Sequence, residues 1–492
     1  MAFSIHRFFA TAASLFFLAG CTVFQPQSRP LSPLALPETY APETYAIDAH
    51  AAQGAGRWWQ SFGSSELNSL VDEALSGNFD IRTAWSRLRQ ADAVARQAGA
   101  TRKATVDYRV GADKNRLQTK SAEMGTRQTD TQSFSAGLGA AYELDLWGRL
   151  DALHRSGTLD LQAARQDLEA AAVTVTAEVV TTWVDIVALG RQITILQDQI
   201  RINLNLLHLQ QLRFVNGKAG ALDVSQQREA LAAANAKLPL LQLAQQQQFN
   251  VLAVLLGRSS AQGLTIVQKE LPGLIPIPGA GLPVDLLAAR PDVRAAGLRL
   301  RAADWRVGAA RADRLPAITL SADAVFSSEA LDLLFSNWIS TLATRIAGPL
   351  FDAGYRSAEV DRSRAVAEAY LAEYAKTVAT AIREVEDSLV TEKRQKEYIE
   401  LLQEQLQAAR LALKNARIQY MNGQNNYLAY LTAWTGIQDL ERQLVQEQAA
   451  LAKNRIGLYR AIGGDWTGEL VSGAVRSPQV EPPGVTANPC AG

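Results

Sequence analysis

Side chains that could perform nucleophilic, acid–base or metal chemistry are few in this sequence. Four histidines occur, His6, His50, His154 and His208, and none has cysteines or carboxylates at a metal-ligand spacing. Methionines number three and cysteines two. No catalytic-serine elbow and no glycine-rich phosphate loop is present. We therefore expect no enzyme activity, no metal site and no cofactor.

One cysteine stands where a specific reaction is expected. Residues 1–20 have a short basic start, an apolar stretch (8–18) too short to span a bilayer, and the ending Leu18-Ala19-Gly20 before Cys21. This ending resembles a bacterial lipobox, which implies a diacylglycerol on the Cys21 sulfur, cleavage before Cys21 and an N-acyl lipid on its new amine. The alternative is an ordinary signal peptide with a chance cysteine. Cys490, in a Pro- and Gly-containing tail, has no expected chemistry.

The chain contains an internal duplication at an offset of about 206 to 212 residues. Phe79–Asp92 reads FDIRTAWSRLRQAD, and Pro291–Asp304 reads PDVRAAGLRLRAAD. The later pairs are Asp145/Arg149 with Asp352/Arg356, Phe214/Asn216/Gly217 with Tyr420/Asn422/Gly423, and Leu255-Leu256-Gly257 with Ala461-Ile462-Gly463. Because the offset changes so little, each half must contain the same elements in the same order.

The duplication sets the domain organisation. We assign residues 58–257 to the first repeat, 258–280 to a linker and 281–466 to the second repeat. Pro-, Ser- and Ala-rich segments, 21–57 and 467–492, flank the repeats as an extended linker and a disordered tail. Lys plus Arg and Asp plus Glu are 49 each, which gives no support to nucleic-acid binding.

Long helices are predicted in each half. The segment from Tyr355 to Asn422 contains neither Gly nor Pro, and as one helix it would be roughly 100 Å long. Its apolar positions follow a heptad seam that largely recurs 206 residues earlier: Ile399, Leu402, Leu406, Ala409, Leu413, Ala416 and Tyr420. Turns are predicted at Asn216-Gly217 and Asn422-Gly423, with second helices from about Leu222 to Leu256 and Tyr427 to Ile462. A coiled-coil spacer would account for these helices equally well.

Period-two alternation predicts two strands in each half. The apolar members are Ala104, Val106, Tyr108, Val110 and Ala112, then Phe134, Ala136, Leu138, Ala140, Tyr142 and Leu144, and in the second half Ile318, Leu320, Ala322, Ala324 and Phe326. A partner strand is expected at Trp338–Phe351. The polar stretch Lys114–Gln132 is expected to be a long loop. Strands of about 10 to 12 residues suit a tilted membrane crossing, although a soluble sandwich would show the same alternation.

The strand count indicates an oligomer if the sheet lies in a membrane. A sheet in lipid must close, since unpaired edges find no water, and four strands are too few to form a barrel. Three copies would supply twelve strands and twelve long helices. Polar and small residues would then face a wet lumen: Asp107, Arg109, Gly137, Gly139 and Asp323. The fold class is α+β.

Four motifs resemble the bacterial outer-membrane efflux factors, specifically the lipoprotein branch of tripartite multidrug pumps. Residues 281–293, GLPVDLLAARPDV, look like the inter-repeat hallmark of that branch. The matching strand exit is Leu144–Arg149, LDLWGR, and the closing motif is Tyr459–Trp466, YRAIGGDW. Together with the lipobox, these motifs occur in the family's order.

The resemblance implies a homotrimer with a transmembrane β-barrel of twelve strands, four from each chain, continuous with a long α-helical barrel. It implies a passive exit duct in the outer membrane, lipid-anchored and extending into the periplasm. Its partners would be a periplasmic adaptor (membrane fusion) protein and an inner-membrane RND pump. The turns at Asn216, Gly217, Asn422 and Gly423 would contact the adaptor or pump.

The resemblance also implies a gate near these turns, where the sequence departs from the family. Thr432 stands where many relatives carry the Asp of an acidic ring, whereas Leu428 falls at an apolar constriction. Asp223 could supply a different acidic ring. The predicted gate residues are Leu428, Tyr430, Thr432, Leu222 and Asp223. The alternative is that Leu428 and Tyr430 are ordinary seam residues.

Two other functions share these features. A lipid-anchored periplasmic coiled-coil scaffold would need the helices but not a membrane sheet. A channel that secretes protein or polysaccharide would have the same fold.

Overall fold

The computed structural model describes residues 56–121, 125–278 and 283–468, together with Leu34, Ala35 and Pro37. Cys21, the predicted signal peptide, most of the predicted tail and the first two residues of the GLPVDLL hallmark lie outside these ranges. The chain forms two compact units. Among the described residues, the strand unit includes 87–121, 125–164 and 295–375, and the helix unit includes 56–86, 165–278, 283–294 and 376–468. Each unit therefore draws on both repeats.

The two halves contain the same order of helices and strands. The first half has a 3-10 helix (Trp58–Phe62), α1 (Ser65–Gly77), α2 (Phe79–Ala100), β1 (Thr105–Ser121), β2 (Gly125–Leu144), α3 (Arg149–Val215) and α4 (Ala221–Leu255). The second has short helical turns (Pro283–Asp285 and Leu286–Ala289), α5 (Pro291–Ala312), β3 (Ala317–Ser328), a 3-10 helix (Leu331–Ser336), β4 (Trp338–Ala347), α6 (Tyr355–Met421), α7 (Tyr427–Ile462) and a last 3-10 turn (Asp465–Thr467). The duplication predicted this repetition.

The sheet has a single apolar face that runs across all four strands. Its order is β1-β2-β3-β4, and every neighbouring pair is antiparallel. Val106 pairs with Ala140, Ala140 with Ala322, and Ala322 with Leu342, so the apolar alternates of each strand fall in common rows. Leu342 is 84% exposed in the single chain. The predicted alternation is therefore confirmed, and none of the described residues forms a layer over the apolar face.

The prediction of a loop over Lys114–Gln132 is wrong. β1 continues to Ser121, and β2 begins at Gly125. These extensions are polar on both faces, so they carry no alternation, yet antiparallel backbone hydrogen bonds form regardless of side-chain polarity. Arg116 donates two hydrogen bonds of 2.8 Å to its cross-strand partner Asp130. At the other edge, β4 ends at Ala347 rather than at Phe351, before Gly348 and Pro349.

The duplicated Asp and Arg residues connect strands to helices in the strand unit. The Asp145 carboxylate accepts from the backbone N–H groups of Leu150 and Asp151, at the start of α3. Asp352 accepts in the same way from Gly354 and Arg356, at the start of α6. Carboxylates at these positions satisfy N–H groups that have no partner inside the helix. The motifs DLWGR (145–149) and DAGYR (352–356) thus cap the N-termini of α3 and α6.

The duplicated arginines hold the same junction. Arg149 forms an ion pair of 2.8 Å with Glu143 at the end of β2, and Arg356 forms one of 3.3 Å with Asp313, which follows α5. Trp147 donates its indole N–H to the backbone oxygen of Pro316, at 2.7 Å. The strand ends and the helix starts are therefore fixed to each other by polar contacts.

Two antiparallel helical hairpins form the helix unit. The Gln227 side chain of α4 reaches the Asn203 backbone of α3, and Gln245, further along α4, reaches Ile186, earlier in α3. The pair of α6 and α7 behaves likewise, with Gln395 hydrogen-bonded to Glu447 and Asn454 to Ser388. The α3 hairpin and the α6 hairpin were both predicted.

One helix among the described residues, α3, has a stretch apolar and long enough to cross a membrane. Of that stretch, 72% is buried within the protein, which is the property of a core helix. Trp183 and Val179 in this helix are fully buried. We therefore attribute its hydropathy to packing.

The sequence motifs around the second repeat's start and end pack together in the helix unit. Arg290 is buried, pairs with Asp292 at 2.7 Å and Glu384 at 2.8 Å, and donates to the Ala461 backbone oxygen. Gly463 has φ +83°, and a Cβ there would lie 2.9 Å from the Ala289 backbone oxygen. A larger residue at 463 would therefore separate the RPD and GGDW motifs.

We predict that Asp145→Ala destabilises the start of α3. The substitution leaves two backbone N–H groups without a partner, and the expected loss is about 1 kcal/mol of the free energy of unfolding. Thermal unfolding followed by circular dichroism at 222 nm measures the effect. Asp145→Asn, which keeps one carbonyl acceptor, should lose less. Equal midpoints for the wild-type and Ala proteins would contradict the capping role.

Candidate functional site

The two helix turns have the same backbone conformation. Gly217 and Gly423 have φ angles of +67° and +69°. In the first turn Lys218 N–H donates to the Arg213 carbonyl, at 2.7 Å, and in the second Gln424 N–H donates to the Gln419 carbonyl, at 2.9 Å. A glycine in the left-handed region with a six-residue closing bond is a common helix end. Asn216 and Asn422 immediately precede these glycines.

The helices that follow the turns begin with side-chain caps. The Asn426 side chain accepts from the Ala429 N–H at the start of α7, at 3.1 Å. The Asp223 carboxylate accepts from the Gly220 N–H at the start of α4, also at 3.1 Å. Asp223 is therefore engaged with its own backbone, although its charge remains close to the turn.

The predicted gate residues fall into two environments. Leu428 and Leu222 are 47% and 67% exposed in the single chain, and Thr432 is also exposed. Tyr430 is half-buried, and its ring lies 6.2 Å from that of Tyr420. Tyr430 thus packs as a seam residue would, whereas the side chains of Leu222, Leu428 and Thr432 are available to line a passage.

Leu428 and Thr432 share a cavity of about 290 Å³ between α4 and α7. Ala230, Ala233 and Ala234 form its α4 wall. Small residues there keep the two helices close, and the cavity is next to the predicted constriction. Leu222 and Asp223 do not line it.

A ladder of buried polar side chains joins the two repeats beside the turns. Tyr420 donates to the Gln210 side chain, at 3.1 Å, and Tyr427 donates to the Gln227 side chain. Gln227 in turn donates to the Asn203 backbone oxygen, at 2.9 Å. The side chains of Asn203, Gln210 and Gln227 are at most 1% exposed. We call these five residues, with Trp434, the polar ladder.

Trp434 completes the ladder from α7, because its indole N–H donates to the Asn203 side-chain oxygen at 2.9 Å. Further from the turns, Gln199 donates to the Gln438 backbone oxygen at 3.1 Å, and Arg442 donates to the Gln199 side chain. Burial lowers the pKa of Arg442. α7 is thereby attached to α3 along several turns by hydrogen bonds rather than by apolar packing alone.

Two buried side-chain amide N–H groups in and beside the ladder lack hydrogen-bond partners in the described part of the chain. The side-chain N–H groups of Asn203 and Gln438 have none within the described residues. An unsatisfied buried polar group costs roughly 1–3 kcal/mol. The interface between α3 and α7 is therefore less stable than its burial suggests.

Asn203 and Gln210 lie on the predicted heptad seam of the first repeat, but the polar ladder was not predicted. One feature of the sequence could have indicated it. The first repeat has polar residues at two core positions of the seam, and the second repeat has Ala409 and Ala416 at the equivalent positions. Such residues are costly in a core unless they are paired. Their partners, Trp434 and the tyrosines, are distant in sequence and could not be assigned.

The polar face of the sheet forms a second candidate region. Arg109 on β1 reaches across β2 to Asp323 on β3, at 3.4 Å. The crossing passes over Gly139, where a Cβ would lie 2.7 Å from the Asp323 carboxylate. Asp107 pairs with Gly139 in the register, and Gly137 pairs with Arg109. The five residues predicted to face a lumen therefore share one face.

A duplicated chain with two antiparallel hairpins of very long helices and a four-stranded sheet, apolar on one face and polar on the other, defines a tunnel-forming outer-membrane channel. The sequence profile of the outer membrane efflux protein family matches residues 70–258 and 282–464. The chain belongs to this family. It is an efflux channel protein of the outer membrane.

Curated relatives cover most of the chain. It is 33% identical over 422 residues to the pyoverdine export outer membrane protein OpmQ of Pseudomonas aeruginosa, which covers 83% of this chain and 87% of that protein. It is 31% identical over 463 residues to the probable efflux pump outer membrane protein TtgC of Pseudomonas putida, covering 92% and 95%.

Solved structures agree with the fold. The outer-membrane channel OprN has a TM-score of 0.83 and 27% identity, covering 90% of this chain and all of that one. The outer membrane protein VceC of Vibrio cholerae has a TM-score of 0.78 and 26% identity, covering 84% and 100%. These findings confirm the predicted fold class and the efflux function over the soluble sandwich and the coiled-coil scaffold.

We predict that Gln227→Leu destabilises the helix unit. The change leaves the buried Tyr427 hydroxyl without its acceptor, and the expected loss is about 1–3 kcal/mol. Thermal unfolding of the purified protein measures it. Gln242→Leu, at an exposed position of α4, is the matched control and should be nearly neutral. Equal losses for the two variants would exclude a specific role for the ladder.

We also predict a loss of stability at alkaline pH that depends on Tyr427. Burial raises the pKa of the Tyr427 and Tyr430 hydroxyls above their usual value. The folded state therefore keeps these protons when the unfolded chain releases them, so the contribution is complete below about pH 10 and is lost as pH rises further.

The denaturant midpoint measured from pH 8 to 11.5 tests this dependence. Tyr427→Phe should be less stable than wild type at pH 8, because Gln227 loses its donor, but should show a shallower decline above about pH 10. Parallel curves for the two proteins would refute the assignment.

Proposed function

We propose that three copies of this chain assemble into the passive exit duct of a tripartite pump for drugs or other small molecules. Twelve strands would form the barrel and twelve helices the wall of a periplasmic tunnel. The observation that carries the proposal is the open four-stranded sheet, whose β1 and β4 edges have no partner among the described residues. With one face apolar, such a sheet is stable in lipid only when further strands complete it.

The proposed partners are a periplasmic adaptor and an inner-membrane RND pump, which would supply energy and substrate. A duct of this kind needs no catalytic group of its own. The turns at Asn216-Gly217 and Asn422-Gly423 are the proposed contacts for the adaptor or pump. We further propose that Cys21 carries the diacylglycerol and N-acyl lipid that anchor the mature chain.

Small molecules are favoured over protein or polysaccharide as cargo by two names among the relatives. OpmQ is described as a pyoverdine export protein, and a TtgC protein of Pseudomonas putida, 31% identical to this chain, as a toluene efflux pump protein. Pyoverdine and toluene are different compounds, and neither is a protein or a polysaccharide. We therefore propose that the channel itself selects weakly and that the pump determines the substrate.

Electrical recording in planar bilayers tests the duct. The protein extracted from outer membranes should migrate as a heat-sensitive trimer and conduct ions after insertion. Chain released intact from membranes by removing only its lipid anchor, with no conductance, would contradict the proposal. Drug accumulation and protein export, compared in a strain that lacks the gene, would separate small-molecule cargo from protein cargo.

We predict that Leu428→Ala raises the closed-state conductance. Three copies of an exposed leucine would form an apolar constriction that resists wetting, and truncation widens it, so an increase of roughly twofold or more is expected. Leu243→Ala, at an exposed position on α4 far from the turn, is the control. A closed-state conductance equal to that of the control would remove Leu428 from the gate.

A further inference from the structure

The connection between β3 and β4 exposes an unusual amount of apolar surface. Its 3-10 helix, Leu331–Ser336, has Leu331, Leu333 and Phe335 at 65%, 51% and 72% exposure. Only Leu334 turns inward, at 8% exposure. Clustered apolar side chains of this kind mark a binding surface for protein or lipid rather than a water-exposed turn.

The position of Phe335 shows which face of the sheet this connection extends. Its ring packs edge-on against Phe326, with centroids 5.4 Å apart. Phe326 pairs with Ala136 and Trp338, and Ala136 pairs with Val110, all in one row of the apolar face. The Phe335 ring therefore continues the apolar face and not the polar one.

The neighbouring hairpin marks where the apolar face stops. The pair Ala112 and Phe134 is its last apolar row, and the next pair on the same face is Lys114 with Gln132. Arg116 with Asp130 follows. The face thus changes from apolar to charged over two residues, or roughly 7 Å. A basic side chain directly above an apolar band is typical of a bilayer boundary.

The β3–β4 connection leaves the sheet at the same level. Ser328, the last residue of β3, pairs with Phe134, and Trp338, the first of β4, is 66% exposed. Aromatic side chains are enriched at this depth in membrane barrels. β1 and β2 continue beyond the boundary, whereas β3 ends there at Ser328 and β4 begins there at Trp338.

We propose that the 3-10 helix Leu331–Ser336 is a lipid-binding element that inserts Leu331, Leu333 and Phe335 among the acyl chains at the outer-leaflet boundary. Lipid is the occupant because the surface is continuous with the face that lipid already covers. The proposal rests on the sheet being membrane-embedded. Insertion of these side chains would hold the β3–β4 connection at a fixed depth in the bilayer, while the polar β1–β2 extension remains in water.

Site-directed spin labelling tests the depth of this element. Cys490→Ser leaves Cys21 as the sole native cysteine, and acylation would block its sulfur. Leu333→Cys is then labelled with a nitroxide, and the protein is placed in phosphatidylethanolamine–phosphatidylglycerol vesicles. Collision with oxygen, which concentrates in lipid, is compared with collision with a water-soluble nickel chelate. Leu331→Cys repeats the measurement, so that one poorly folding variant does not decide the outcome.

Two control positions give the ratios expected for lipid and for water. Leu342→Cys lies on the apolar face of β4, and Gln118→Cys lies on the charged extension of β1. We expect the oxygen-to-nickel ratio at Leu333 to be within roughly twofold of that at Leu342 and well above that at Gln118. A ratio like that of Gln118 would overturn the proposal, as would protection from both reagents, which indicates cover by a neighbouring copy. A lipid-inaccessible Leu342 would instead refute the membrane-embedded sheet.

Discussion

The backbone hydrogen bonds at the edges of the sheet constrain everything else in this protein. Four antiparallel strands leave two edges whose N–H and C=O groups lack partners among the described residues, and lipid offers none. A soluble protein could leave such edges in water. Here the exposed apolar face excludes that solution, because residues such as Tyr108 and Leu342 are over 80% exposed in the single chain. Folding to completion and assembly are therefore one process for the strand unit.

The long helices of the helix unit are held together by two different kinds of contact. Near the turns, hydrogen bonds between Gln, Asn, Tyr and Trp side chains accompany an apolar cluster of Ala230, Tyr427 and Leu431, and the buried Asn203 amide N–H lacks a partner among the described residues. Further from the turns the contacts are a buried ion pair, Arg455 with Glu392, and the apolar core around Trp183. Hydrogen bonds can exchange partners over a small shift, whereas close apolar packing resists one. The hydrogen bonds of the polar ladder are accordingly contacts that a small shift of the helices could exchange.

Much of this architecture followed from the sequence because each half predicted the other. The 67-residue helix α6 could be bounded from the absence of Gly and Pro, and the glycines at 217 and 423 predicted both turns. The strand extensions of Lys114–Gln132 could not be predicted, since a hairpin wet on both faces has no alternation. The polar ladder was also hidden, because the partners of Asn203 and Gln227 lie over 20 residues away or in the other repeat.

The outer part of the long β1–β2 hairpin can accept many changes of sequence. β1 and β2 have 17 and 20 residues, against 12 and 10 in β3 and β4, and their outer part is held by main-chain pairing and a few charge pairs such as Arg116 with Asp130. Almost any polar sequence would satisfy that pairing. Substitutions in this segment that keep the strand pairing would therefore leave the apolar face and the Arg109–Asp323 ion pair unchanged.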